Sequence, residues 1–488
     1  MGFDFSQFDK YKENNRLEIK KAAGGLPNSL WETYSSMANC YGGVILLGAI
    51  EKEDGSFLTT GLKDTEKLLR DFWNTVNNTQ KVSINLLTDQ DVETHTINGD
   101  VVMVIHMPRA RREDKPVYIN NNLLGGTYRR NHEGDYRCTK AEVLAMLRDQ
   151  TEETSDMKLL VNMEISDLNP ETIRAYRNRH MAYRGTHVWD NLSDAEYLDR
   201  IGAARPGGAD GRLHPTAAGL LMFGEEYKIL YEYPEYFLDY REMLDPSIRW
   251  TDRLQSSSGE WTGNLFDFYF RVYSKLVKDL KIPFKLEGIT RIDDTPVHKA
   301  LREALANCLV NTDFFVPRGV VIRKDAEQII MENPGYVRTG KDQMLKGGIS
   351  DPRNKALMKM FSMIGIGERA GSGVPSIFDT WESQNWEEPV VEEQYSPDRT
   401  ILTLPLVEKD GGKKEKTTQK TTQKTTQKKR RDRLLDLIRD DSTISQEMLA
   451  QNLGISINGV KYHIKKLRQE NRLERIGGDK GGHWNIIE

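Results

Sequence analysis

Little in this chain points toward membranes or oxidising compartments. Its 488 residues include three cysteines, Cys40, Cys138 and Cys308, far apart and odd in number. With no CxxC pair, neither a disulfide framework nor a zinc ribbon is expected, and the thiols read as free in a reducing compartment. Apolar runs are short: one of the longest, Gly43-Val-Ile-Leu-Leu-Gly-Ala-Ile50, falls well below the roughly 20 residues that span a bilayer. The opening Met1-Gly-Phe-Asp-Phe-Ser has no basic region followed by an apolar core, so no secretory leader is expected. Net charge is only -4, so any nucleic-acid contact has to come from local basic patches. With 38% hydrophobic and 29% charged residues, the expectation is a soluble, cytoplasmic, multidomain protein, since this length exceeds what one core supports.

The richest stretch runs from His298 to Gly373. His298-Lys-Ala-Leu-Arg-Glu-Ala-Leu-Ala-Asn-Cys-Leu-Val-Asn311 has helical periodicity and sets Glu303 and Asn307 one turn apart on one face. Two strand patterns follow (319–323 and 328–332), then Asn333-Pro-Gly335, a polar glycine-rich segment, Gly371-Ser-Gly373 opening another helix, and a last strand over 399–406. An acid and an amide on one helix, with two glycine turns, suit a nucleotide and its metal.

That order resembles the GHKL (Bergerat) ATPase fold, in its divergent form from bacterial Schlafen-like regulators. Arg302-Glu-Ala-Leu-Ala-Asn307 is similar to the N-box, Glu332-Asn-Pro-Gly335 to the first glycine box. Arg353-Asn354 and Gly365-Ile-Gly-Glu-Arg-Ala-Gly371-Ser-Gly373 are similar to the later motifs. The resemblance implies ATP with Mg²⁺, possible Mn²⁺ being the alternative ion. Glu303 would polarise the attacking water and Asn307 would hold the metal. Gly371 and Gly373 would bring backbone N–H groups to phosphate at a helix N-terminus, and Asn333 and Gly335 would line the adenine end. Two departures stand out: Asn333 replaces the acid that reads the adenine amino group, and Asn311-Thr-Asp313-Phe314 replaces the usual His-Arg-Asp-Tyr.

Upstream, a helix over 30–39, a Cys40-Tyr-Gly-Gly43 turn, a buried strand over 44–50 and further strand patterns predict an α+β domain over 1–150. Glu18-Ile-Lys20, Ser36-Met-Ala-Asn39-Cys-Tyr-Gly42-Gly43 and Leu46-Leu-Gly48-Ala, with Pro116-Val-Tyr-Ile and Tyr128-Arg-Arg130, resemble the Schlafen/AlbA-like domain. In nucleases of that kind a carboxylate triad supports metal-assisted RNA cleavage, and Glu13, Glu18 and Glu51 occupy plausible equivalents. Glu51 stands where the resemblance implies Asp. Solvated acids paired with Lys20 are the plainer reading. Arg129 and Arg130, with neighbouring arginines and interleaved tyrosines, could contact phosphate and stack on bases.

Residues 151–286 read as a mainly helical connector without a catalytic constellation. The domain boundaries expected after it are 287–407 for the ATP-binding unit, 408–430 for a basic linker and 431–488 for the tail. From Lys413 to Arg433 the chain holds ten Lys or Arg against two acids, and Thr-Thr-Gln-Lys occurs three times in succession, a solvated composition. Helix, turn, helix and two short strands around a glycine-rich tip then resemble a winged helix-turn-helix. Asn458, Lys461, Tyr462, Lys465 and Lys466 would face a DNA groove and Lys480 a phosphate. The expected protein is an α+β multidomain, homo-oligomeric, ATP-binding and nucleic-acid-binding regulator of transcriptional type. A metal-dependent RNase acting on tRNA or another RNA is the alternative.

Overall fold

A computed structural model describes residues 16–409, except 53–55, 208–209, 246, 279, 281–284, 288–289, 293–294, 368–370 and 396–397. It also describes 434–435, 437–439, 441–453, 460, 464, 467–468, 472–476 and 483–486. The chain divides into two compact units, Met1–Lys409 and Asp410–Glu488.

The first unit opens with a four-stranded sheet. Its strands are β1 (Leu17–Lys20), β2 (Gly43–Leu47), β3 (Val92–Ile97) and β4 (Asp100–Met107), in the order β1-β2-β4-β3. β1 runs parallel to β2, and the other pairs are antiparallel. The central strands β2 and β4 read as apolar runs because both their faces are covered, whereas the edge strands β1 and β3 alternate with polar residues. Ile45, Leu47, Met103 and Ile105 pack toward the helix α1 (Ser29–Asn39) and the Thr65–Val76 helix. Leu46, Val102 and Val104 face the other way, against Leu17, Ile19 and Phe57.

Asn39, at the end of α1, is a staple. Its side-chain N–H₂ donates to the carbonyls of Val117 (2.8 Å) and Tyr128 (2.9 Å), and its side-chain oxygen accepts from Val117 N–H (2.8 Å). Gly42 follows in the left-handed region, where a Cβ would lie 2.6 Å from Met107 O. These motif residues therefore hold the helix against the sheet and the Tyr128–Asn131/Gly134–Arg137 hairpin. The module ends with α2 (Lys140–Gln150), started by a reciprocal Thr139–Glu142 capping box.

Beyond it lies one large core. A six-stranded sheet contains β5 (Leu238–Met243), β6 (Asp252–Gln255), β7 (Val320–Asp325), β8 (Gln328–Pro334), β9 (Val390–Gln394) and β10 (Arg399–Pro405). Their order is β6-β5-β7-β8-β10-β9. Only β5 and β7 pair in parallel within it. Against it pack α3 (Leu265–Val277), α4 (Pro296–Val310), α5 (Lys355–Met363) and α6 (Gly373–Ser383), in a buried cluster reaching from Leu160 to Leu404. The region read as a mainly helical connector thus supplies two strands to this sheet, and a break at 286–287 falls inside one core. The physical reason is that β5 pairs with β6 on one edge and needs a second hydrogen-bonding neighbour on the other, which the sequence places about eighty residues later. Other signals of that region hold. Asn169 caps the Pro170–Arg184 helix, accepting from Glu171 and Thr172 N–H. Gly219 lets the Ala217–Phe223 helix cross so close that a Cβ would lie 1.9 Å from Ala203 O.

In the second unit the Gln446–Leu453 helix and an antiparallel pair, Leu473–Ile476 with His483–Ile486, surround a small core. Leu434, Ile438, Leu449, Val460, Ile464, Leu467 and Trp484 are buried there. The Trp484 indole N–H donates to Ile444 O at 3.3 Å. No described helix is long and apolar enough to cross a membrane.

Candidate nucleotide site

Helix α4 and its C-terminal cap carry a polar stripe: Glu303, Asn307 and Asn311, four residues apart, are half-buried while the helix's apolar residues are enclosed. The stripe faces a cleft of about 1040 Å³, open mouth included, bounded by α4, β8, β10, α6 and the segment 336–352. Asn307 donates its side-chain N–H to Glu303 Oε1 at 3.1 Å, which turns Asn307 Oδ1 away from that carboxylate. Glu303 itself lies against the start of α6, where a Cβ on Gly373 would fall 1.9 Å from Glu303 Oε1. Glycine is the residue that fits there. Helix α6 starts at Gly373 with no side-chain cap and no acid in its own first turn, and the positive end of its dipole is met by the Glu303 carboxylate.

Gly371, at φ +67°, has its carbonyl taken by Gly348 N–H at 3.0 Å, and a Cβ on it would meet Ile349 backbone at 2.7 Å. The segment 336–352 thereby closes over the Gly371 end of the cleft. At the opposite end Asn333, buried at the end of β8, donates its N–H₂ to Pro334 O (3.2 Å) and Asn311 O (3.5 Å). Those two carbonyls fix the amide's orientation and leave Oδ1 as its acceptor.

The cleft therefore gathers Glu303, Asn307, Asn333, Gly371 and Gly373. Gly335 is not among its walls. At φ +101° it turns the chain so closely past Arg353 that a Cβ would lie 2.9 Å from the guanidinium. Sequence reasoning missed Tyr336, Val337, Arg338 and Asp351 as wall residues, because nothing in a polar loop announces which way it folds. Asn311 was detectable, as the next turn of the Glu303–Asn307 stripe. Arg353 and Asn354 close the far end of α4. Asn354 donates its N–H₂ to Val310 O (2.9 Å) and Thr312 O (2.8 Å), and the Arg353 Nε–H donates to Asn311 O (3.1 Å). These side chains add donors to carbonyls at a helix end, Val310 O also taking the Asn354 backbone N–H at 3.1 Å.

The N-terminal candidates are arranged differently. Glu18 Oε1 accepts from Lys20 (2.8 Å) and Oε2 from Arg130 (2.6 Å). Arg130 is 1% exposed and also donates to Asp135 at 3.0 Å. Burial lowers its basicity, but the Glu18 and Asp135 carboxylates more than offset this, so its pKa lies above the ordinary value. A guanidinium so enclosed offers no face to a phosphate, which corrects the nucleic-acid role expected of Arg130. Arg129 is likewise turned inward, ion-paired with Glu142 at 3.3 Å. Glu51 is exposed at the end of the Ala49–Glu51 strand. Among the described residues no group of three or more His, Cys, Asp or Glu is placed to hold a metal. Glu13 lies outside the described residues, as do Asn458, Lys461, Tyr462, Lys465, Lys466 and Lys480.

Comparison with known families follows the same division. A Schlafen, AlbA_2 model matches residues 13–139, and a winged helix-turn-helix DNA-binding model matches 429–474. Between them, a model described as the recG helicase C-terminal region, an HATPase-type domain, matches 318–403. The chain carries Schlafen/AlbA, ATPase-like and winged-helix domains, in that order. A domain of unknown function matches 144–239. Among solved structures, the DIP2311 protein from Corynebacterium diphtheriae is 17% identical, with 97% of this chain and 92% of that one covered and a TM-score of 0.44. The N-terminal domain of a RecG-related protein from Nitrosomonas europaea is 27% identical over 28% of this chain and 90% of that one, with a TM-score of 0.22. No curated protein matches the chain.

Proposed function

We propose that the cleft is an ATP site and that the chain is a regulator in which nucleotide state controls engagement of DNA by the winged helix. The observation that carries this reading is the convergence of Glu303, Asn307, Asn333, Gly371 and Gly373 on one cleft. The base would lie toward Asn333, whose fixed Oδ1 accepts a hydrogen bond from an exocyclic amino group. Replacing the family's acid by Asn suits this pocket, since two carbonyl oxygens face the same side chain and a carboxylate would meet both without a proton to share. Phosphates would lie toward α6 and its N-terminal N–H groups. Asn307 Oδ1 is a hard oxygen donor of the kind Mg²⁺ or Mn²⁺ takes, and the ion would neutralise phosphate charge. Glu303, which accepts from Asn307, would orient a water beside the terminal phosphate.

Calorimetric titration of the full chain with ATP and Mg²⁺, beside GTP, tests the site. Saturable ATP binding is expected, with GTP weaker because its base presents a carbonyl to Asn333 Oδ1. No ATP binding, beside a control protein that binds, removes the reading.

A further inference from the structure

The cover of the cleft is held from outside the ATPase-like domain. Residues 336–353 form one continuous strip that passes the base end at Tyr336 and Val337 and the phosphate end at Gly348, then returns to α5. Both ends of the strip are tied to the Schlafen/AlbA module. At the first end, Arg109 donates to Val337 O (2.8 Å) and to both oxygens of Glu393 (3.1 and 3.3 Å). Glu393 Oε1 in turn accepts the Val337 N–H (2.9 Å). At the second end, Arg112 Nε–H donates to Asp351 (2.8 Å), and the Asp149 carboxylate accepts from Arg353.

Arg112 is also a hub on its own side. Its Nη1 donates to the carbonyls of Asp149 (3.0 Å), Gln150 (3.2 Å) and Thr151 (3.2 Å), so the end of α2 and the strip share one guanidinium. The Tyr336 ring completes the contact. Arg109 (5.7 Å) and Lys115 (4.7 Å) approach it from the module and Arg353 (5.3 Å) from the cleft side. Between its two tied ends the strip carries glycines in the left-handed region at 340, 347 and 348, and Ile349 is 55% exposed. The anchors are enclosed and ion-paired, and between them the short Lys341–Lys346 helix is flanked by those glycines.

We infer that Arg109 and Arg112 of the Schlafen/AlbA module are positioning residues for the nucleotide cleft, so that nucleotide occupancy and the docking of that module are thermodynamically linked. This rests on the cleft being an ATP site. A ligand that settles the strip favours the docked module, and a docked module presents a strip already in place for the ligand. Linkage requires the two effects to be equal.

The test uses the full chain. Arg112→Ala and Arg109→Ala are each expected to weaken ATP binding about tenfold, within the usual range of such coupling. Arg112→Lys, which keeps the charge beside Asp351, should recover most of the loss. Hydrogen exchange adds a readout that a loss of general stability would not mimic. Saturating ATP in the wild type should slow amide exchange at residues 109–115, which line no part of the cleft, and Arg112→Ala should abolish that protection. Unchanged affinity in both alanine variants, or ATP binding without protection at 109–115, overturns the linkage while leaving the ATP site intact. Absence of ATP binding in the wild type removes both.

Discussion

Single atoms decide the tightest parts of this molecule. The space a Gly373 side chain would need is already filled by the Glu303 carboxylate. Gly373→Ala is expected to cost about 1–3 kcal/mol, as overpacking does, and to reduce ATP binding more than it lowers the melting temperature. Calorimetry beside thermal melting separates the two losses. Lys115 is a second sharp case. It is 2% exposed and donates to Asn39 O beside the Tyr336 ring. Burial, with the Arg109 charge adding to it, pushes its ammonium from an ordinary 10.5 down to about 7. The unfolded chain therefore holds more protons between those values, and this residue makes stability rise with pH across that window. Melting curves at pH 7 and pH 9 should show the rise in the wild type and a smaller one in Lys115→Met. That Glu303 and Asn307 line one cleft was legible in the sequence because they lie one turn apart on one helix face. Arg130 was misread because sequence shows a charge without its surroundings: Glu18 from the first strand and Asp135 from across the hairpin neutralise it.

At the scale of elements, motifs that resemble nucleotide-binding signatures divide into those that face the cleft and those that build it. Asn354 belongs to the second kind, joining the end of α4 to the start of α5 through two carbonyls. Asn354→Ala removes the side-chain donor from Thr312 O, while Val310 O keeps the backbone N–H of residue 354 (3.1 Å); one buried acceptor losing its donor costs on the order of 1–3 kcal/mol. A drop of that size in denaturant stability is expected, whereas a change confined to ATP affinity would assign Asn354 to the ligand instead. The helices were readable from period and caps, as Asn169 and Thr139 illustrate. The strip 336–353 was not. Its course depends on Arg109, Arg112 and Asp149, more than 180 residues upstream of the segments they hold, and no local pattern encodes a partner at that distance.

For the whole molecule, the division at residue 410 carries its own prediction. Because Met1–Lys409 is compact by itself, a chain ending at Lys409 should melt cooperatively and bind ATP with unchanged affinity. It should also lose most duplex DNA binding and the steep salt dependence that a basic segment confers. Retention of full DNA affinity by that chain would place the interface elsewhere. The boundary expected at 286–287 fares otherwise, because β5 and β7 lie side by side in one sheet.

That parallel pairing also bears on how the chain emerges during synthesis. Strand β5 is complete at Met243, but its neighbour β7 begins at Val320 and the sheet's last strand ends at Pro405. The Schlafen/AlbA module can fold early, as N-terminal domains do. The following core has to wait, its half-made sheet edge open, until some 160 further residues have left the ribosome. A chaperone or ribosome-bound factor therefore meets this protein as a finished N-terminal module trailing an incomplete sheet.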